Sequence, residues 1–222
     1  MRGDVPRRSA AQVADSREET IRAAASVASV IGLGALSIGS LADELGMSKS
    51  GLVGRFGSKE QLQLAALEFA AETFRRTVYA PAAQEPAGLR RLTAICDAWI
   101  EYLRRPPFPG GCFLTTASVE FDARPGPVNE AVKRTVREWL GVLEYQAGKA
   151  VEQGEISAAL DPRDIAFTIN ALAVGANCEF QLHGEPRSLA CARGAMANVL
   201  ASEPRQPREQ RAAAGGSAAF EP

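Results

Sequence analysis

The chain has 222 residues, of which 46% are hydrophobic and 23% charged, with a formal net charge of −1. These proportions describe an ordinary globular protein, long enough for a small head packed on a larger body. No apolar run approaches the ~18 residues that a bilayer span needs, and the basic N-terminus lacks the apolar stretch of a secretory signal, so the expectation is a cytoplasmic chain without a membrane partner.

Residues 1–15 carry Gly, Pro and charge without periodicity and read as a disordered arm, made basic by Arg2, Arg7 and Arg8. The first helix is expected over residues 17–31, with Ile21, Ala24, Ala25, Ala28 and Ile31 on one stripe. Residues 37–60, SIGSLADELGMSKSGLVGRFGSKE, then carry the densest signal in the chain. Leu41, Ala42 and Leu45 make the apolar face of a short helix, and Gly46 supplies the positive φ of the turn behind it. Ser48 is placed to cap a second short helix in which Leu52 and Phe56, four apart, share a face. Ser58 caps a third, with Gln61 as its capping-box partner. Two short helices joined at a sharp angle by a glycine turn describe a helix-turn-helix DNA-binding unit.

Downstream, residues 59–79 continue as one long helix bearing Leu62, Ala65, Ala66, Phe69 and Phe74, which Pro81 is expected to end. Leu89, Leu92, Cys96, Trp99 and Leu103 stripe a helix over residues 87–104, closed by the Pro- and Gly-rich stretch 106–111. A short helix over residues 112–121 precedes a long one from Val128 to Gly154, striped by Val132, Val136, Trp139 and Leu143. Asp161-Pro162-Arg163-Asp164 is a strong helix start, and that helix runs to His183 before Gly184 and Pro186. The last helix covers residues 188–201, and the Pro-, Gly- and Ala-rich residues 203–222 read as a disordered tail. No segment alternates as a strand would, so the predicted class is all-α.

The run Ile21-x-Ala23-Ala24, Gly32-Leu33, Ser37-Ile38-x-x-Leu41-Ala42-x-x-Leu45-Gly46-Met47-Ser48-Lys49 and Leu52-x-x-x-Phe56-x-Ser58-Lys59-Glu60 resembles the N-terminal domain of the TetR family of tetracycline-repressor-like regulators. The match spans residues 16–62 without a gap. The resemblance implies a DNA-binding head over residues 16–60 and a helical effector-binding and dimerisation domain over residues 61–202. It also implies a homodimer on a palindromic double-stranded DNA operator, most simply a repressor released by a small-molecule effector. A redox- or ligand-sensing protein of the same fold with weak or lost operator binding is the alternative.

On the second helix of the motif, the face opposite Leu52 and Phe56 carries Ser50, Gly51, Val53 and Gly54, flanked by Lys49 and Arg55. Ser50 can hydrogen-bond a base edge or a phosphate, Val53 offers a methyl contact to thymine, and the two glycines permit close approach. Ser37 with Ser40, Ser48, and Ser58 with Lys59 stand at helix starts, where free N–H groups and a positive dipole end suit phosphate. Between Met47 and Lys59 every charge is positive, so the near-neutral total does not argue against DNA. Relative to the family pattern, Gly51 often holds Thr, Val53 an aromatic, Gly54 His and Ala28 Phe.

Phe74, Trp99, Tyr102, Phe113, Thr116 and Trp139 are the candidate ligand residues of the body, suiting a mainly apolar, neutral effector. The small residues Ala166, Ala171, Ala173, Gly175, Ala176, Ala190, Ala192, Gly194, Ala195 and Ala197 suit close helix approach, either inside one subunit or, as the resemblance implies, at a dimer interface. Four scattered cysteines without metal-ligand spacing and a single histidine offer neither a metal site nor a catalytic centre, and no cofactor motif is present. Gly32-x-Gly34 follows a helix rather than a strand and is no dinucleotide loop. Cys112, beside a predicted helix start, is the one thiol whose setting suits a lowered pKa.

Overall fold

In the computed structural model residues 10–201 are described, and they form helices and turns only. Helices α1 (Ala10–Ile31), α2 (Ile38–Leu45) and α3 (Lys49–Phe56) build the head, and α4 (Lys59–Phe74) leads out of it. The body consists of α5 (Leu89–Arg104), α6 (Phe113–Phe121), α7 (Pro127–Glu152), α8 (Pro162–His183) and α9 (Arg187–Leu200). No helix of the described residues is long and apolar enough to cross a membrane.

Helix boundaries follow the local chemistry. Gly46 closes α2 at φ +61°, and Gly184 closes α8 at φ +72° with its N–H donating to the Phe180 carbonyl. Asp161 accepts from the Arg163 N–H at 2.8 Å, with Pro162 at the first helical position of α8. Ser58 accepts from the Gln61 N–H, while the reciprocal capping box forms at Ser37 and Ser40.

Two boundaries differ from expectation. Helix α1 begins at Ala10, so residues 10–15 are helical; the run Ala10-Ala11-Gln12-Val13-Ala14 is made of competent helix formers once the prolines and glycine are passed. Arg2, Arg7 and Arg8 and the predicted tail, residues 203–222, lie outside the described residues. Pro81 does not end the long helix at once: Arg75–Tyr79 is π-helical and Ala80–Ala82 is a further helical turn. In the π turn the Ala80 N–H donates five residues back, to the Arg75 carbonyl. Pro81 thereby falls in the first turn of a new segment, where its missing N–H leaves no gap.

The body core joins Leu92, Ile95, Trp99, Leu143, Ile169 and Met196. A second core holds Leu33, Leu41, Leu52, Phe56 and Leu62 of the head together with Phe108, Phe113, Phe121, Val128 and Val132 of the body. The head therefore completes its interior with side chains from α6, α7 and the loop before α6. Polar contacts reinforce the junction. The Gly34 N–H donates to Glu120 Oε1 at 2.9 Å, Gln63 Nε2 donates to the Leu33 carbonyl at 2.8 Å, and the Gly110 N–H donates to Ser29 Oγ at 3.1 Å.

Gly110 packs so tightly on α1 that an added Cβ would lie 1.8 Å from the Ser29 carbonyl oxygen, whereas one at Gly148 in α7 would meet only Pro162 Cγ at 3.9 Å. Gly148→Ala is therefore expected to raise stability by roughly 0.5–1 kcal/mol, and Gly110→Ala to lower it by about 1–3 kcal/mol. Urea titrations of both variants check this, and equal shifts would contradict the close seating of the loop on α1.

Candidate nucleic-acid interface

Leu52 and Phe56 are buried, at 0% and 5% exposure, which fixes the roll of α3. Ser50, Gly51, Val53 and Gly54 consequently lie on its exposed side, Val53 at 48%. Gly54 has open space where a Cβ would stand, and Gly51 faces only its own cap, Ser48 Oγ. Ser48 accepts from the Gly51 N–H at 3.2 Å, and Ser50 donates to the Ser48 hydroxyl at 3.3 Å.

The flanking groups are held more firmly than mobile surface charges. Arg55 donates to Thr20 Oγ1 at 2.8 Å and ties α3 to α1, and Lys59 Nζ donates to the Gly34 carbonyl at 2.6 Å. The hydroxyls of Ser37 and Ser40 cap α2 between themselves, so that pair presents its helix terminus rather than free hydroxyls. Lys49 stands exposed at the start of α3, its Nζ reaching the neighbourhood of Gly39 on α2. The starts of α2, α3 and α4, each capped by a serine, thus flank one exposed helix face carrying only basic charge.

The six candidate ligand residues of the body divide into two groups. Phe74 meets Trp99, Tyr102 and Trp139 edge to face, at ring centroid separations of 5.6, 5.2 and 4.8 Å, and the two indoles are 5.0 Å apart. Phe113 and Thr116 lie elsewhere: they line a small void with Ala28, Ser29 and Leu33 at the head–body junction. An aromatic ring from α6 thus occupies the neighbourhood of Ala28, the α1 position at which the sequence is unusually small.

A groove of about 1010 Å³ runs along α4 and α7 and reaches α1; Phe74, Tyr79, Trp139 and Val142 are among its walls. Three arginines (Arg17, Arg75, Arg134) and three glutamates (Glu68, Glu72, Glu138) also line it, more charge than the sequence suggested, because the flanks of α4 and α7 close its mouth. Three donors in the aromatic group, Trp99 Nε1, Trp139 Nε1 and the Tyr102 hydroxyl, are buried and have no hydrogen-bond partner. Each such orphan costs about 1–3 kcal/mol. Burial, with the neighbouring Cys112 as a smaller contribution, pushes the Tyr102 hydroxyl up from its ordinary pKa, so it remains a donor at neutral pH.

Cys112 does not carry the lowered pKa its position suggested. Its side chain is 1% exposed and burial pushes the thiol up, outweighing the hydrogen bonds at the start of α6. Cys96 is pushed up to about 12 by burial, with the Asp97 charge adding to it. Both thiols stay protonated at neutral pH, which removes the support for thiolate sensing.

The small residues of α8 and α9 split between two faces. Ala166, Ala173, Ala176 and Ala192 pack inside the body, while Ala171, Gly175, Ala190, Gly194 and Ala197 are exposed. Phe167 and Leu182, exposed at 69% and 78%, continue the outer stripe of α8. Sequence reasoning found the motif and its caps but missed Gln63 and Glu120, whose partners are 30 and 86 residues away. The only local trace was Gly34, where a Cβ would come 2.5 Å from Glu120 Oε1.

Comparison with known proteins agrees with this architecture. Residues 21–66 match the family model described as bacterial regulatory proteins, tetR family, and residues 88–196 match the tetracyclin repressor-like C-terminal domain. A TetR transcriptional regulator from Chloroflexus aurantiacus J-10-FL is 28% identical with a TM-score of 0.77, the match covering 83% of this chain and 93% of that one. A TetR-family regulator from Cytophaga hutchinsonii shares the fold at 20% identity and a TM-score of 0.72, over 88% of this chain and 97% of the other. So does AibR, crystallised with isovaleryl coenzyme A and operator DNA, at 21% identity and a TM-score of 0.67, over 82% and 96% of the two chains. A comparison with curated proteins gave no match. With both halves matched and the helix-turn-helix head joined to a helical body, the chain belongs to the TetR family of transcriptional regulators.

Proposed function

We propose that the chain acts as a homodimeric repressor that reads a palindromic operator through α3 and is released by a small molecule bound in the body. The observation that carries the DNA reading is the bare outer face of α3, Ser50, Gly51, Val53 and Gly54, set beside three serine-capped helix starts. Exposed backbone N–H groups at those starts, with Lys49 and Lys59, supply phosphate contacts. Arg55, Ser37, Ser40, Ser48 and Ser58 fix the helices that present them. Val53 gives a methyl contact to thymine and Ser50 a polar one, while the glycines let the helix lie deep.

The outer stripe of α8 and α9, Phe167, Ala171, Gly175 and Leu182 with Ala190, Gly194 and Ala197, suits a two-fold helical interface. A dimer so built would carry its two recognition helices about one helical turn, roughly 34–36 Å, apart. The groove beside α4 reaches α1, so a molecule in it touches both the connecting helix and the head. Release then follows from coupling, and ligand and operator must weaken each other by one shared factor. AibR, a protein of the same fold, was crystallised with isovaleryl coenzyme A and operator DNA, which supports a ligand site and a DNA site on one such chain.

Three outcomes are expected. Lys49→Ala should weaken binding to specific and unrelated duplexes alike and lower the slope of log affinity against log salt by about 1. A changed base preference at unchanged slope would reassign Lys49 to base reading.

Gly54→Ala, with free space around the new methyl group within the chain, should raise the melting temperature and still weaken operator binding about tenfold, roughly 1.4 kcal/mol. A variant that melts higher and binds equally well would refute close approach at Gly54.

Leu182→Glu with Phe167→Glu should convert dimers to monomers in light scattering while preserving helical content. Dimers of unchanged stability would exclude this face of α8.

A further inference from the structure

The turn between α1 and α2 is held from two directions, and both holds meet at Gly34. From the body, Glu120 of α6 accepts the Gly34 N–H on its Oε1 at 2.9 Å, and a Cβ on Gly32 would lie 3.1 Å from either carboxylate oxygen. From the start of α4, Lys59 Nζ donates to the Gly34 carbonyl at 2.6 Å, and Gln63 Nε2 stands 3.4 Å from the same oxygen. A single residue thus joins a carboxylate of the body to a lysine at a helix start of the DNA-binding head.

Packing does not account for Glu120. Its side chain is 17% exposed, its Oε2 is buried without a hydrogen-bond partner, and Arg124, which pairs with Oε1 at 3.2 Å, is itself 57% exposed. A dry carboxylate oxygen lowers stability, and an apolar side chain would cover the turn without that loss. What an acceptor alone supplies is a fixed Gly34 N–H. Gly34 needs that restraint. A Cβ there would stand 2.3 Å from Arg124 Nη1 and 2.5 Å from Glu120 Oε1, so the close seating calls for glycine, the residue with the widest backbone freedom. With its N–H held, its carbonyl keeps one direction, and Lys59 is bound to that carbonyl.

We propose that Glu120 is a positioning residue for operator binding, which acts through Gly34 to hold the Lys59 ammonium in place for a DNA phosphate. The inference rests on the reading of Lys59 as a phosphate contact. An ammonium has three donors, so Lys59 can keep the Gly34 carbonyl and still bind phosphate. A long side chain ordered beforehand loses less freedom on binding than a mobile one. Lys49 provides the contrast: it stands on α3, which is anchored by Leu52, Phe56 and the Arg55–Thr20 contact, so its contribution does not depend on Glu120.

A thermodynamic cycle on the full chain tests this, with a duplex selected from a random pool by the parent protein and titrated over a salt series. In the parent, Lys59→Ala should weaken binding at least fivefold and lower the slope of log affinity against log salt by about 1. In the Glu120→Ala background, Lys59→Ala should weaken it less than twofold, while Lys49→Ala has the same effect in both backgrounds. Glu120→Gln, which keeps an oxygen for the Gly34 N–H, should bind at least threefold more tightly than Glu120→Ala. Gly34→Ala displaces the carboxylate without deleting it and should reduce the effect of Lys59→Ala in the same way, an independent route should Glu120→Ala not fold. A full fivefold effect of Lys59→Ala in either background, or equal erosion of the Lys49 and Lys59 contributions, would overturn the proposal and leave Lys59 a phosphate contact. An unchanged salt slope for Lys59→Ala in the parent would refute the phosphate contact itself, and the proposal with it.

Discussion

The apolar core of the DNA-binding head is continuous with that of the body. Leu33, Leu41, Leu52 and Phe56 belong to one buried cluster with Phe108, Phe113, Phe121 and Val132, and Ala28 and Leu33 meet Phe113 and Ala117 where the two parts join. Burying a side chain of this size is worth about 1.5–3 kcal/mol, so separating head from body carries a large penalty. The polar contacts at Gly34, Leu33 and Ser29 act on the same junction, and there is no room at Gly110 for even a methyl group. A head fixed in this way cannot reorient by swinging on a flexible linker. The helices that hold the head, α4, α6 and α7, are also the helices that bound the groove.

The exposed face of α3 depends on support from beneath in a similar way. Two glycines in an eight-residue helix weaken it by roughly 1 kcal/mol each relative to alanine. Serine caps at both neighbouring helix starts, the Arg55–Thr20 contact and the buried Leu52 and Phe56 compensate by anchoring α3 from below. The helix is held by its inner face and left smooth on its outer one. Its positive character is local, arising from Lys49, Arg55, Lys59 and three helix termini, and is invisible in a net charge of −1.

Much of the fold was legible because it is written in short-range chemistry. Gly46, Ser48, Ser58 and the Asp161-Pro162 start specify their turns through neighbours within four residues, and the apolar stripes of α5 and α7 repeat every three or four. What escaped the sequence depends on partners far along the chain. Phe113 and Phe74 look alike in sequence, yet one completes the head core and the other centres the body's aromatic group. Ala171 and Ala173 are two residues apart and fall on opposite faces of α8. Pro81 was read by its usual effect, which the preceding π turn cancels. Cys112 was judged by its place at a helix start, but complete burial governs a thiol more strongly than a nearby dipole.

The claim that head and body form one mechanical unit is most directly tested by native-state hydrogen exchange on the full chain across a denaturant series. The account predicts that the slowest amides of α1 and α4, around Ala24, Ala28, Ala66 and Ala70, open with the same free energy and denaturant dependence as those of α5 and α8, around Ile95 and Ile169. Head amides exchanging through a separate opening of lower free energy, while α5 and α8 stay protected, would contradict it.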